Sequence, residues 1–153
     1  MEKNIILAYL RQDARISLTK MSKKTRVPVS TLYDHLKKYQ KTCIKKHTSI
    51  LDFEKLGYKA RAKVLLKVNK KDRENLREFL NNCQFINELV KINNGYDYLI
   101  EFIFENMKDL ENYLEKMEQK FEIKENKVFY IVDDIKRENF MANPQLQTIG
   151  KPL

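Results

Sequence analysis

An α+β chain in two parts is predicted: three short helices first, then a βαββαβ run that builds an antiparallel sheet. Three observations carry this. Apolar residues recur at helical spacing up to about residue 45, and then switch to a period of two from Lys59 onward. The positive charge is uneven: residues 1–58 hold 13 basic and 5 acidic residues, the remainder 17 and 16, out of a net +9. The chain has 153 residues, 42% of them apolar, with only three glycines and three prolines. That is enough apolar material for one medium or two small cores, and it argues against a disordered or low-complexity chain.

The first helix is expected over about Lys3–Arg11, with Ile6, Leu7 and Leu10 facing inward. Asp13-Ala14-Arg15-Ile16-Ser17 connects it to the second, Leu18–Thr25, for which Ser17 is a suitable N-cap because its hydroxyl can accept from an unpaired first-turn amide. Arg26-Val27-Pro28 breaks the pattern, and Pro28 suits a helix start, where its missing N–H costs nothing. The third helix is expected over about Val29–Lys41, with Val29, Leu32, Leu36 and Tyr39 inward. Two helices joined by so short a turn form a helix-turn-helix. The outward positions of the third helix, Ser30, Thr31, Tyr33, Asp34, Lys37, Lys38 and Lys41, are polar at its start and basic at its end. Such a helix can meet base edges with one end and phosphates with the other. A lone lysine-rich face is ordinarily just solvated; three basic helices holding nearly all the net charge point instead to a polyanion.

Ile44–Ile50 alternates weakly and reads as a short strand or wing, with Lys45 and Lys46 again placed for phosphate. This makes residues 1–50 a winged helix-turn-helix domain and 51–58 a linker with a helical turn ended by Gly57. Residues 59–142 form a ferredoxin-like domain. Its first strand puts Ala60, Ala62, Val64, Leu66 and Val68 on one face. A helix over Asp72–Asn82 follows, then a strand over Phe85–Ile92, Asn93-Asn94-Gly95 turn chemistry and a returning strand over Tyr96–Phe104. A helix over Lys108–Phe121 and a last strand over Lys127–Val132 complete the order. The tail, 143–153, has no periodicity and is expected to be mobile.

Both faces of this sheet are apolar. Val64, Leu66, Tyr98, Ile100, Phe102, Val128 and Tyr130 collect on one, while Leu65, Leu99, Ile103, Phe129 and Ile131 remain on the other. Leaving the second set in water forgoes roughly 1.5–3 kcal/mol per side chain, and the chain has no further helices to cover it. A second copy, sheet against sheet, is expected; the alternative is shielding by the tail or linker. A symmetric dimer sets two helix-turn-helix modules on one duplex.

Other classes find little support. No apolar run approaches the roughly 18 residues of a membrane helix, and the basic helices lack the bulky apolar faces of membrane-surface binders. Cys43, Cys83, His35 and His47 have no zinc spacing, so neither a metal nor a cofactor is expected, and two isolated thiols read as reduced and cytoplasmic. No nucleophile–base set and no phosphate-cradling glycine loop are present, so no catalytic residue is assigned. An RNA-binding aromatic strand motif is also missing.

The segment Ile6–Tyr58 resembles the DNA-binding half of Lrp/AsnC (feast/famine) transcription regulators. The matching features are Asp13–Ser17, the Ser30-Thr31 opening of the third helix, Leu36-Lys37-Lys38, Ile44 and Leu56-Gly57-Tyr58. The stretch from Asn93 to Met117 resembles that family's glycine-and-aspartate hairpin and the helix after it. The resemblance implies double-stranded DNA as partner, with Ser30, Thr31, Asp34, Lys37 and Lys38 on the DNA-facing helix. It also implies homodimers or octamers, and a small effector such as an amino acid bound near Asn94, Gly95, Tyr96 and Asp97. For Gly95 and Asp97 a turn-making role is the competing reading, and an architectural DNA-binding protein without effector is the alternative function. Arg26 and Cys43 stand where the family usually has glycine, so both positions are expected to need a left-handed backbone.

Overall fold

The computed structural model describes residues 2–146. Among them the chain divides into two units: the residues up to Ile50 joined by the segment from Ile135 onward, and Leu51–Asp134.

The leading unit holds α1 (Glu2–Gln12), α2 (Leu18–Thr25) and α3 (Val29–Thr42). Its core is Ile6, Met21, Leu32 and Tyr39, flanked by Leu7, Leu10, Leu18 and Ile44. Val29, expected inward, is 43% exposed as the first residue of α3. Ser17 caps α2 as expected, its Oγ accepting from the Lys20 N–H at 3.2 Å. Arg26 ends α2 in the left-handed region, φ 60°, its N–H donating to the Ser22 carbonyl at 2.8 Å. Cys43 does not share that conformation; its φ of −132° is open to any residue. A side chain bearing a Cβ is strained at φ 60° and glycine is not. Arg26→Gly relieves roughly 1–2 kcal/mol of strain against about 0.5–1 kcal/mol of added chain entropy, so a modest rise in the thermal midpoint is expected; a lower one would mean that the Arg26 side chain contributes more than the strain costs.

The expected wing does not form. Residues 44–50 contain no strand and lie exposed past Ile44. Ile44 is tied back by its N–H to the Tyr39 carbonyl at 2.8 Å, but Lys45 to Ser49 offer no apolar face to bury.

In the second unit β1 (Ala60–Val68), β2 (Ile86–Lys91), β3 (Tyr98–Phe104) and β4 (Ile123–Tyr130) form an antiparallel sheet in the order β2-β3-β1-β4. Helices α4 (Arg73–Asn81) and α5 (Met107–Lys120) cover one face. Val64, Leu66, Ile100 and Phe102 pack there against Leu76, Leu80, Leu110 and Met117. The unit is the expected ferredoxin-like βαββαβ arrangement. Strand β1 alternates as the sequence predicts, with every second residue buried. Strand β4 starts four residues before the expected Lys127. It is an edge strand paired with β1 from Val68↔Ile123 to Ala62↔Tyr130, and an edge strand tolerates polar residues such as Lys124, Glu125 and Asn126.

The far face of the sheet is less apolar than expected. Ile103, opposite Arg61 in register, is only 8% exposed within the single chain, whereas Phe129 is 53% exposed. Between them lies a charged network centred on Glu101, whose carboxylate takes Arg61 at 2.6 Å and Asn87 at 2.6 Å.

Two boundaries also move. The sheet unit ends at Asp134 rather than 142, and the following segment belongs to the leading unit. Arg11 holds it there, donating to the Phe140 carbonyl at 2.9 Å, the Glu138 carbonyl at 2.7 Å and the Glu138 carboxylate at 3.0 Å. Pro144, placed by sequence in a mobile tail, is buried, while Asn143, Gln145 and Leu146 beside it are exposed; residues 147–153 of that expected tail lie outside the described residues.

Candidate nucleic-acid interface

Helix α3 buries Leu32 and Tyr39 and turns its other side outward. On that side Ser30, Asp34, Lys37 and Lys41 recur at intervals of three or four residues, one exposed stripe flanked by Tyr33 and Lys38. Tyr33 is 57% exposed despite its large ring. Gln40 shares this surface, three residues after Lys37, and was missed; its spacing is the signal that marks it. Lys45 and Lys46 continue the basic character past the helix end, exposed but on irregular backbone. Thr31 departs from the expectation. It is half-buried and lines a groove of about 780 Å³ with Tyr9, Arg26, Pro28 and the returning Pro144 and Gln145. The structure thus brings six of the nine expected DNA-facing residues onto one helical surface, sets two beyond its end and turns Thr31 to its flank.

The β2–β3 hairpin behaves differently. Asn94 and Gly95 both have left-handed backbone, φ 63° and 93°, as a tight hairpin turn demands. A Cβ on Gly95 would meet nothing within 4 Å, so the glycine serves the turn and not a close approach. Tyr96 donates its hydroxyl to Glu125 at 2.6 Å under the Lys127 ammonium, 5.4 Å from the ring centroid. That hydroxyl, with Lys127, holds the Glu125 carboxyl below its ordinary range. Asp97 is buried, and its carboxylate accepts from the Val68 N–H at 2.9 Å and pairs with Arg73 at 2.7 Å. Of the four residues expected to face an effector, Asn94 and Gly95 are exposed, Tyr96 is half-buried, and Asp97 is committed to the chain's own β1 and α4.

Among the described residues no cluster of three or more His, Cys, Asp or Glu is placed to hold a metal, and no helix is long and apolar enough to cross a membrane. No family model matches the chain. Over 111 residues it is 30% identical to the HTH-type transcriptional regulator FL11 of Pyrococcus horikoshii, covering 72% of this chain and 74% of the relative. Its fold is that of a transcriptional regulator of Neisseria meningitidis solved in complex with L-Met, with a TM-score of 0.82 at 15% identity over 89% of this chain and 91% of the other. It is also that of an AsnC family transcriptional regulator from Agrobacterium tumefaciens, with a TM-score of 0.78 at 17% identity over 89% and 92%.

Proposed function

The chain belongs to the Lrp/AsnC family of DNA-binding transcription regulators, and from that premise we propose that α3 is its reading element. The outward stripe of α3, polar at the start and basic at the end, carries this reading. Ser30, Tyr33 and Asp34 meet base edges in the major groove, where a carboxylate can accept from the cytosine amino group. Lys37, Lys38 and Lys41, with Lys45 and Lys46 beyond the helix, take phosphates. A second copy covers the far face of the sheet around Leu65, Leu99 and the exposed Phe129, pairing two reading modules on one duplex. The protein works in the cytoplasm beside its DNA.

A small effector, such as an amino acid, fits the family and the L-Met seen with the Neisseria relative. One observation favours the second reading, a DNA-binding protein without effector: both oxygens of Asp97 are already bonded within the chain.

The test is a titration of duplex from upstream of the chain's own gene across a range of salt. Affinity is expected to fall by about 0.9 log unit per phosphate engaged for each tenfold rise in salt. Lys37→Ala should weaken binding to every sequence alike, and Asp34→Ala should relax preference at one base pair by about 1–3 kcal/mol. Salt-independent binding would refute the reading, and light scattering with an amino-acid panel tests assembly and effector together.

A further inference from the structure

Between the start of α1 and the inner flank of α3 lies a cavity of about 330 Å³ lined by Lys3, Asp34, His35, Lys38, Tyr39 and Thr42. Its floor is built, not incidental. Tyr39 is 5% exposed, and its hydroxyl and His35 Nδ1 lie 2.9 Å apart. The Lys3 ammonium stands over the Tyr39 ring, 5.7 Å from its centroid. The Thr42 hydroxyl donates to the Lys38 carbonyl at 2.9 Å, so it has no proton left for a ligand. Two ammonium groups and one carboxylate leave the cavity with a single net positive charge.

We infer that this cavity seats one backbone phosphate of the bound duplex, held between Lys3 and Lys38. The inference rests on α3 being the reading helix. A major groove about 12 Å wide is filled by a helix of about 10–12 Å, so the flanks of the helix face the two phosphate strands. Lys38 lies on the flank that opens into the cavity, and Lys3 reaches the same space from α1. A phosphodiester carries one negative charge, which matches the net charge of the lining. Asp34 repels it, so the phosphate sits on the Lys3–Lys38 side while Asp34 stays on the base-reading stripe. The Tyr39 ring beneath Lys3, itself fixed by His35, holds the ammonium in place before DNA arrives, which lowers the ordering cost of the contact. Lys3, twenty-seven or more residues from every expected DNA contact, thereby becomes one.

The experiment compares the full-length protein with Lys3→Ala and Lys3→Arg on the upstream duplex and on a scrambled one, across a salt range. Lys3→Ala should lower the salt slope by about 0.9 per module and weaken both duplexes by the same factor, roughly tenfold at 0.1 M salt. Lys3→Arg should restore the slope, since a guanidinium also pairs with phosphate. An unchanged slope in Lys3→Ala, with wild-type binding intact, overturns the seat and leaves α3 as reader. A changed ratio between the two duplexes overturns it too, because a phosphate contact carries no sequence information. Absence of salt-dependent binding by the wild type refutes the reading itself.

Discussion

Glu101→Ala is expected to cost the sheet unit about 3–5 kcal/mol, because it strands buried charge rather than because it removes an ion pair. Glu101 is 3% exposed on the far face of the sheet. Its carboxylate receives Arg61 and Asn87, each at 2.6 Å, with Lys63 at 3.6 Å. Arg61 is shared with Asp134 at 2.5 Å and Lys63 with Glu88. Deleting the central anion leaves a guanidinium whose side chain is 17% exposed without its main partner. The concerted change Arg61→Met with Glu101→Leu should be milder, since apolar packing replaces the buried pair and the partners it frees, Asn87 and Asp134, are exposed to water. Urea midpoints for the three proteins separate the cases; equal losses for the single and double variants would contradict this account.

The same network sets a pH dependence. Burial alone would raise the Glu101 pKa, but the Asn87 amide, the Arg61 guanidinium and the Lys63 ammonium together hold it below its ordinary range. A carboxyl with a depressed folded-state pKa contributes stability at pH above its unfolded value, about 4.3, and that contribution disappears as pH falls through the folded value. The wild type should therefore lose more stability between pH 6 and acid than Glu101→Gln does. Parallel curves for the two would remove Glu101 from the acid response.

Elements defined by a repeating local signal were legible in the sequence. Helix α2 has the limits its spacing implies, Ser17 caps it, and β1 buries the five residues that its alternation selects. The left-handed Arg26 was legible only through the family resemblance, which puts glycine there, and the same inference failed at Cys43. What escaped depends on partners far away in the chain. Nothing near Arg61, Lys63 or Glu101 in the sequence marks them as partners; only the register Lys63↔Glu101 and Arg61↔Ile103 makes them a network. Pro144 looked like tail because nothing near it in sequence shows that Arg11 holds Glu138 and Phe140 close by. The wing was inferred from a weak alternation that no pairing strand supports, and β4 was placed late because an edge strand can be polar. For the reading surface, the helix face was legible, while the half-burial of Thr31 was not, because the groove it lines is shared with Pro144 and Gln145, far away in the chain.

Asp97→Ala is expected to cost about 2–3 kcal/mol and to loosen the junction of β1, the hairpin and α4. One carboxylate oxygen satisfies the buried Val68 N–H at the end of β1, and alanine leaves that amide without an acceptor. The other oxygen pairs with Arg73, whose side chain is 41% exposed, so this half contributes less. Arg73 Nε is buried without a hydrogen-bond partner. Asp97→Asn should recover part of the loss, because an amide oxygen still accepts from Val68, but not the ion pair. The comparison separates a folding role from a ligand role at the hairpin. A residue whose carboxylate served an effector would leave the thermal midpoint unmoved when replaced and would abolish only the response to that effector. A residue that knots three elements moves the midpoint with no effector present, and moves it less in the asparagine variant. If Asp97→Ala melts with the wild type, the internal bonds carry little stability and the hairpin carboxylate returns as an effector ligand.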